Sequence, residues 1–139
     1  MVSLEFTKDM ELGVESIDNQ HKSILERLAA IADMDTSQAI SNEDIKKTVE
    51  FLADYVIQHF RDEEALQLEC DYPKHSEHKK EHELFLEEFV EHQKEFERTG
   101  YSAVRVLELN LSIIDWVVRH VKGSDVEFGR YYRASKARS

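Results

Sequence analysis

Four stretches of this chain carry apolar residues in alternating steps of three and four, and almost nothing interrupts them. The first runs Ile17, His21, Ile24, Leu28, Ile31 and fades near "ADMDTS". The second runs Ile45, Val49, Leu52, Val56, His59, Glu63, Leu66. The third is His78, His82, Phe85, Phe89, His92, Phe96, and the fourth Val106, Leu109, Ile113, Trp116, His120. Such steps line up one face of an α-helix for burial. The whole chain has only 4 Gly and 1 Pro, so breakers are scarce and their positions informative. "SNEDIKK" opens the second helix, with Asp44 three residues after Ser41 in the manner of a capping box. Pro73, after "DY", is expected near the first turn of the third helix, where its missing N–H costs nothing. "RTG" stops that helix, and the fourth starts from about Ser102. Gly123 is expected to end the fourth, with "SD" capping a short last helix, "VEFGRYYRAS".

Four long helices with short connections fold as an up-down-up-down antiparallel bundle. The expected architecture is all-α and a single domain over residues 1–139. It has an irregular N-terminal arm (1–15), the four-helix bundle (16–122), and a short C-terminal helix with a tail (124–139). A chain of 139 residues suffices for one core. Its mixture of 41% apolar and 34% charged residues is that of a globular protein.

A formal net charge of -11 speaks against nucleic acid, which needs a basic face, and against anionic membranes. No apolar run approaches the roughly 20 residues that span a bilayer. "MVSLEFTKDMELG" lacks a basic region followed by an apolar stretch, so no secretory signal is read. The lone cysteine, Cys70, permits no intramolecular disulfide and reads as an inert small residue. Together these lead us to expect a cytoplasmic protein.

The histidines set the chemistry. One histidine on an apolar stripe is usually a satisfied core residue, but here the placement is joint. His21 lies early on the first helix, and His59 and Glu63 late on the second. His78 and His82 lie early on the third, and His120 late on the fourth. In an up-down-up-down bundle those positions share one end, so five imidazoles and a carboxylate converge in an apolar region. That is costly without a partner, and a metal ion supplies one. Asp125 is a further candidate. On a continuous α-helix it would stand roughly 140° off the face of His120, at about 100° per residue. We expect Gly123 to break the helix and "KGSD" to fold Asp125 back over the bundle end. Five His and two carboxylates exceed one tetrahedral zinc site and suit two bridged metals. "HKKEH" also matches H-x-x-E-H, an inverted zinc-peptidase signature with Glu81 as general base. That reading leaves His21, His59 and His120 unexplained.

Taken together, "GVESIDNQHKSIL", "HFRDEE" with its following "YP", "HKKEH" and "DWVVRHVKGSD" resemble the hemerythrin family in its bacterial single-domain form. The resemblance covers nearly the whole chain. It implies a four-helix bundle holding two non-haem iron ions that bind dioxygen reversibly. By position it implies His78, His82 and His120 on one iron and His21 and His59 on the other. Glu63, Asp125 and an oxo or hydroxo group would bridge them. The first iron then has six ligands and the second five, which leaves one vacancy for dioxygen. Ile24, Phe60, Trp116 and Val117 match the family's pocket-lining positions. Azide and nitric oxide are further ligands for the same vacancy.

The chain departs from the family pattern at Phe6, where Trp is usual, and at Gln67, where Met is common. It also has Asp71 where Gly often precedes "YP", and Val117 where Leu is usual. His75 and His92 match no ligand position. His75 is expected to be solvated, and His92 to lie on the third seam. The function implied is oxygen carriage, storage or delivery rather than enzymatic turnover. The alternative is the oxygen- or redox-sensing input domain of a signalling protein.

Overall fold

The computed structural model describes residues 4–34 and 40–138. It contains α1 (Glu15–Ala32), α2 (Asn42–Glu69), α3 (His75–Thr99), α4 (Ala103–His120) and α5 (Val126–Arg138). A 3-10 turn, Lys8–Met10, precedes α1, and a π-helical turn, Val121–Asp125, joins α4 to α5. The first four helices alternate in direction as expected. The expected fading point of the first helix, "ADMDTS", lies partly outside the described residues. Among the described residues no helix is long and apolar enough to cross a membrane.

The stripes became the core. Ile17, Ile24, Leu28 and Ile31 of α1 are buried, as are Ile45, Val49, Leu52 and Val56 of α2, Phe85, Phe89 and Phe96 of α3, and Val106, Leu109 and Ile113 of α4. Ser41 caps α2 by accepting from the Asp44 N–H, and Ser102 caps α4 by accepting from the Arg105 N–H. Gly100, with φ of 97°, ends α3.

Three details differ from expectation. Toward its end α2 buries Gln67 instead of Leu66, because a 3.6-residue period drifts over a 28-residue helix. On α4 the same drift buries Val117 and leaves Trp116 half-buried. On α3, His92 is off the seam and exposed, beside Phe89 and Phe96, which are buried.

The turn from α2 to α3 has its own logic. Tyr72 N–H donates to Gln67 O (2.9 Å) and Asp71 N–H to Leu68 O (3.3 Å). These are the paired bonds of a Schellman cap, whose left-handed position falls on Asp71 at φ 55°. Asp tolerates that conformation better than most side chains, though less well than Gly. Pro73 lies in this turn, just ahead of α3 and near its first turn as expected.

The junction after α4 is the largest departure. Gly123 does not break the helix. The chain continues through a π turn, with Val126 N–H reaching Val121 O five residues back. The arm is irregular as expected, but it is pinned. The Asp18 carboxylate accepts from the Leu12 and Gly13 N–H groups (2.9 and 3.2 Å). Leu12 sits against Gly129 of α5, where any Cβ would come within 2.8 Å of its backbone. Leu12, Val14, Ile17, Tyr72, Val126 and Phe128 form a second small core that closes the end of the bundle.

Candidate metal centre

All seven residues singled out by their positions meet at one end of the bundle, and all seven are buried. Their donor atoms fall into two groups. The first is Glu63, His78, His82, His120 and Asp125; the second is His21, His59, Glu63 and Asp125. Both carboxylates belong to both groups, and each divides its oxygens between them. Glu63 Oε1 lies 2.6 Å from His78 Nε2 and 3.5 Å from His82 Nε2. Its Oε2 lies 3.8 and 3.7 Å from His21 and His59 Nε2. Asp125 Oδ1 lies 2.9 and 3.0 Å from His78 and His120 Nε2, and its Oδ2 lies 3.1 Å from His21 Nε2.

Asp125 reaches this position through the π turn. A π turn closes i→i+5, so the fifth residue returns under the first. Sequence reasoning anticipated the return of Asp125 to the bundle end but not the device that returns it.

The outward nitrogens show what the inward ones are for. His59 Nδ1–H donates to Gln20 Oε1 (2.7 Å), and Gln20 Nε2–H donates to Asp62 (2.8 Å), which fixes the amide's orientation. His82 Nδ1–H donates to Glu64 Oε2 (2.7 Å). His120 Nδ1 stands 3.0 Å from Glu81 Oε2, off the hydrogen-bond axis, and Ser124 Oγ–H donates to Glu81 Oε1 (3.0 Å). A neutral imidazole with its proton on Nδ1 presents a bare lone pair at Nε2. Here Nε2 of His120 lies 3.1 Å from those of both His82 and His78, and Nε2 of His21 lies 3.1 Å from that of His59. Lone pairs at that distance repel unless a cation stands between them.

The spacing suits a six-coordinate ion. Donors at right angles with bonds of about 2.1 Å stand roughly 3.0 Å apart, against roughly 3.4 Å on a tetrahedron. The His78–His120, His82–His120, His78–Asp125 and His120–Asp125 edges are 3.1, 3.1, 2.9 and 3.0 Å. Among the described residues neither carboxylate has a hydrogen-bond partner at either oxygen, although both are buried. The residues fit a pair of cations.

Electrostatics agree. Burial opposes charge on His78 and His120 and is the largest single influence on each. The carboxylates of Asp125 and Glu63 outweigh it, with Glu81 adding to the effect on His120, and lift the two to about 9 and about 10. His21 is raised against the same burial, chiefly by Asp125. Burial depresses His59 to about 4. Burial pushes Glu63 and Asp125 upward, but neighbouring imidazoles bring both below the ordinary carboxylate range. Without metal the site gathers protons, and metal binding must release them.

Aromatic rings wall this end. Phe60 stacks on His82 with centroids 3.8 Å apart, and Trp116 stacks on His120 at 4.4 Å. Phe60 and Trp116 meet edge to face at 5.9 Å. Ile24 and Val117 are buried in the same apolar cluster, each one turn from a ligating candidate on its own helix.

Other candidates fall outside the centre. His75 is half-buried rather than solvated, with Nδ1 3.1 Å from Gln67 Oε1. Glu81 stands behind His120, on the Nδ1 side, which removes the geometry a zinc-peptidase base needs. Sequence reasoning missed Gln20 and Glu64. Glu64 adjoins Glu63 in "HFRDEE", a signal available in principle. Gln20 reaches across from α1 to α2, and no spacing in the sequence announces that contact.

Comparison with known proteins decides the family. Residues 12–131 match the family described as Hemerythrin HHE cation binding domain. The chain belongs to the hemerythrin family. It is similar to the bacteriohemerythrin of Pseudomonas paraeruginosa, at 32% identity over 92% of this chain and 80% of that one. It is also similar to that of Stenotrophomonas maltophilia, at 29% identity over 96% and 84%. A crystal structure of wild-type hemerythrin superposes with a TM-score of 0.81 at 25% identity, covering 94% of this chain and 98% of that one. This hemerythrin-family chain therefore joins a helical bundle to a His/Glu/Asp cluster able to hold metal.

Proposed function

We propose that this protein binds dioxygen reversibly at a non-haem di-iron centre, for carriage, storage or delivery. The observation that carries the reading is the division of both buried carboxylates between a three-histidine and a two-histidine group. His78, His82 and His120 hold one iron, His21 and His59 the other, and Glu63 and Asp125 bridge the pair. When bound, the iron pair would supply the two electrons that dioxygen binding needs, and the smaller two-histidine ligand set would leave room for the ligand.

The chain's own residues do the rest. The carboxylates balance the charge of the pair. Gln20 and Glu64 hold His59 and His82 with Nε2 inward through hydrogen bonds, and the Glu81 carboxylate favours the same orientation of His120 by its charge. Phe60, Trp116, Ile24 and Val117 keep water from the centre and offer a dioxygen-sized ligand an apolar wall. Azide and nitric oxide suit the same vacancy.

The test is an optical titration of the reduced, iron-loaded protein with dioxygen, followed by degassing, with metal content measured on the same sample. Close to two irons per chain and a spectrum that reverses on degassing are expected. One zinc and no iron, or an irreversible change, would overturn the reading.

A further inference from the structure

The two histidine groups are backed differently. Behind the three-histidine group stand two carboxylates, Glu64 on His82 Nδ1 and Glu81 beside His120 Nδ1. Behind the two-histidine group stands one neutral amide, Gln20 on His59 Nδ1, while His21 Nδ1 is buried without a hydrogen-bond partner among the described residues. A carboxylate at the outer nitrogen makes an imidazole a better donor and fixes its plane, whereas an amide fixes the plane with little added charge. Glu64 is itself only 19% exposed, so solvent screens it weakly. Ser124 steadies Glu81, the residue that the peptidase-like motif left without a role.

We propose that Glu64 and Glu81 are positioning residues that make the three-histidine group the tighter metal site, filled first and emptied last, while Gln20 leaves the two-histidine group the weaker. This rests on the ligand assignment proposed above. The consequence is an ordered centre. One metal is anchored, and the other, which carries the vacancy, is held more lightly.

The experiment is an anaerobic cobalt(II) titration of the full metal-free chain, against a competing chelator, followed by proton NMR. Exchangeable imidazole N–H signals shifted by the paramagnetic ion count the bound histidines. The first equivalent should give three such signals and the second should add two. Glu64→Gln keeps an oxygen for His82 but removes the charge. It should weaken the first equivalent by about 10–100-fold and leave the second within about threefold. Gln20→Glu should do the converse, tightening the second equivalent. Circular dichroism of the metal-free variants checks that the helices persist. Two signals at the first equivalent, or equal weakening of both equivalents in Glu64→Gln, would overturn the proposal while sparing the ligand assignment. A total other than five would overturn the assignment itself.

Discussion

The two ends of this bundle are built from the same four helices and obey opposite rules. At one end Ile31, Val49, Leu52, Phe89 and Val106 face one another, with Asn110 the buried polar residue among them. Asn110 answers for itself only in part, donating to Leu28 O (3.0 Å) while its Oδ1 has no partner among the described residues. At the other end the same seams deliver five imidazoles and two carboxylates. Burial stabilises the first end by about 25 cal/mol for each Å² of apolar surface removed from water. Burial penalises the second until opposite charge arrives. The apolar end is therefore stabilised by burial alone, whereas the polar end needs positive charge, as protons or as metal, beside its two buried carboxylates.

The largest expected effect tests the unconditional end. Phe89→Ala opens a cavity in a packed core and should cost about 3–5 kcal/mol. The loss should be equal in iron-loaded and iron-free protein, measured by urea unfolding. A loss that depended on iron would mean the ends are not separable. His120→Ala tests the conditional end. It should reduce iron from about two to about one per chain and remove most of the metal-dependent rise in melting temperature. In the chelated protein near pH 7 it should also lower stability, by on the order of a few kcal/mol, because the protonated imidazole that offsets the buried Asp125 carboxylate is deleted. His75→Ala is the control and should leave iron content unchanged.

How much of this was legible follows the same division. Apolar periodicity and the joint ends of His21, His59, His78, His82 and His120 are properties of single helices plus an alternating topology, so the sequence carried them. Contacts between helices at the level of one side chain were not legible. Gln20 on His59 and Glu64 on His82 depend on helix rotations of a few tens of degrees, which also moved burial from Leu66 to Gln67 and from Trp116 to Val117. His92 fell off its seam for the same reason. The π turn was hidden because Gly123 is an ordinary stop signal, and nothing local announces that a helix will widen instead.

Acidity sharpens the comparison further. His78 and His120 have folded-state values of about 9 and about 10 without metal, above the ordinary 6.5. Groups raised in this way contribute stability that is complete below about pH 6.5 and lost as pH rises through the raised values. The iron-free protein should therefore lose on the order of a few kcal/mol between about pH 7 and 10, measured by chemical unfolding at each pH. The iron-loaded protein, whose imidazoles are already neutral, should not. Parallel pH profiles for the two forms would contradict the picture of protons standing in for metal. The smallest effect lies at the boundary between the ends. Val117→Leu adds one methylene to the apolar wall and should slow loss of the oxygenated form in air by about 2–5-fold, on the order of 1 kcal/mol or less. An unchanged or faster rate, followed optically with and without azide, would show that Val117 does not control access.

The π turn from Val121 to Asp125 has a consequence for how kinship is read. A π turn is an α-helix that has accepted one extra residue. Removing that residue would leave an unbroken helix with the aspartate four places after His120, still on its face, and with α5 still directed at Leu12. A relative whose aspartate sits one place nearer its histidine need not have lost the buried carboxylate. It has only lost the insertion, and an alignment that scores fixed intervals would discard as non-binding a chain that keeps its carboxylate where it counts.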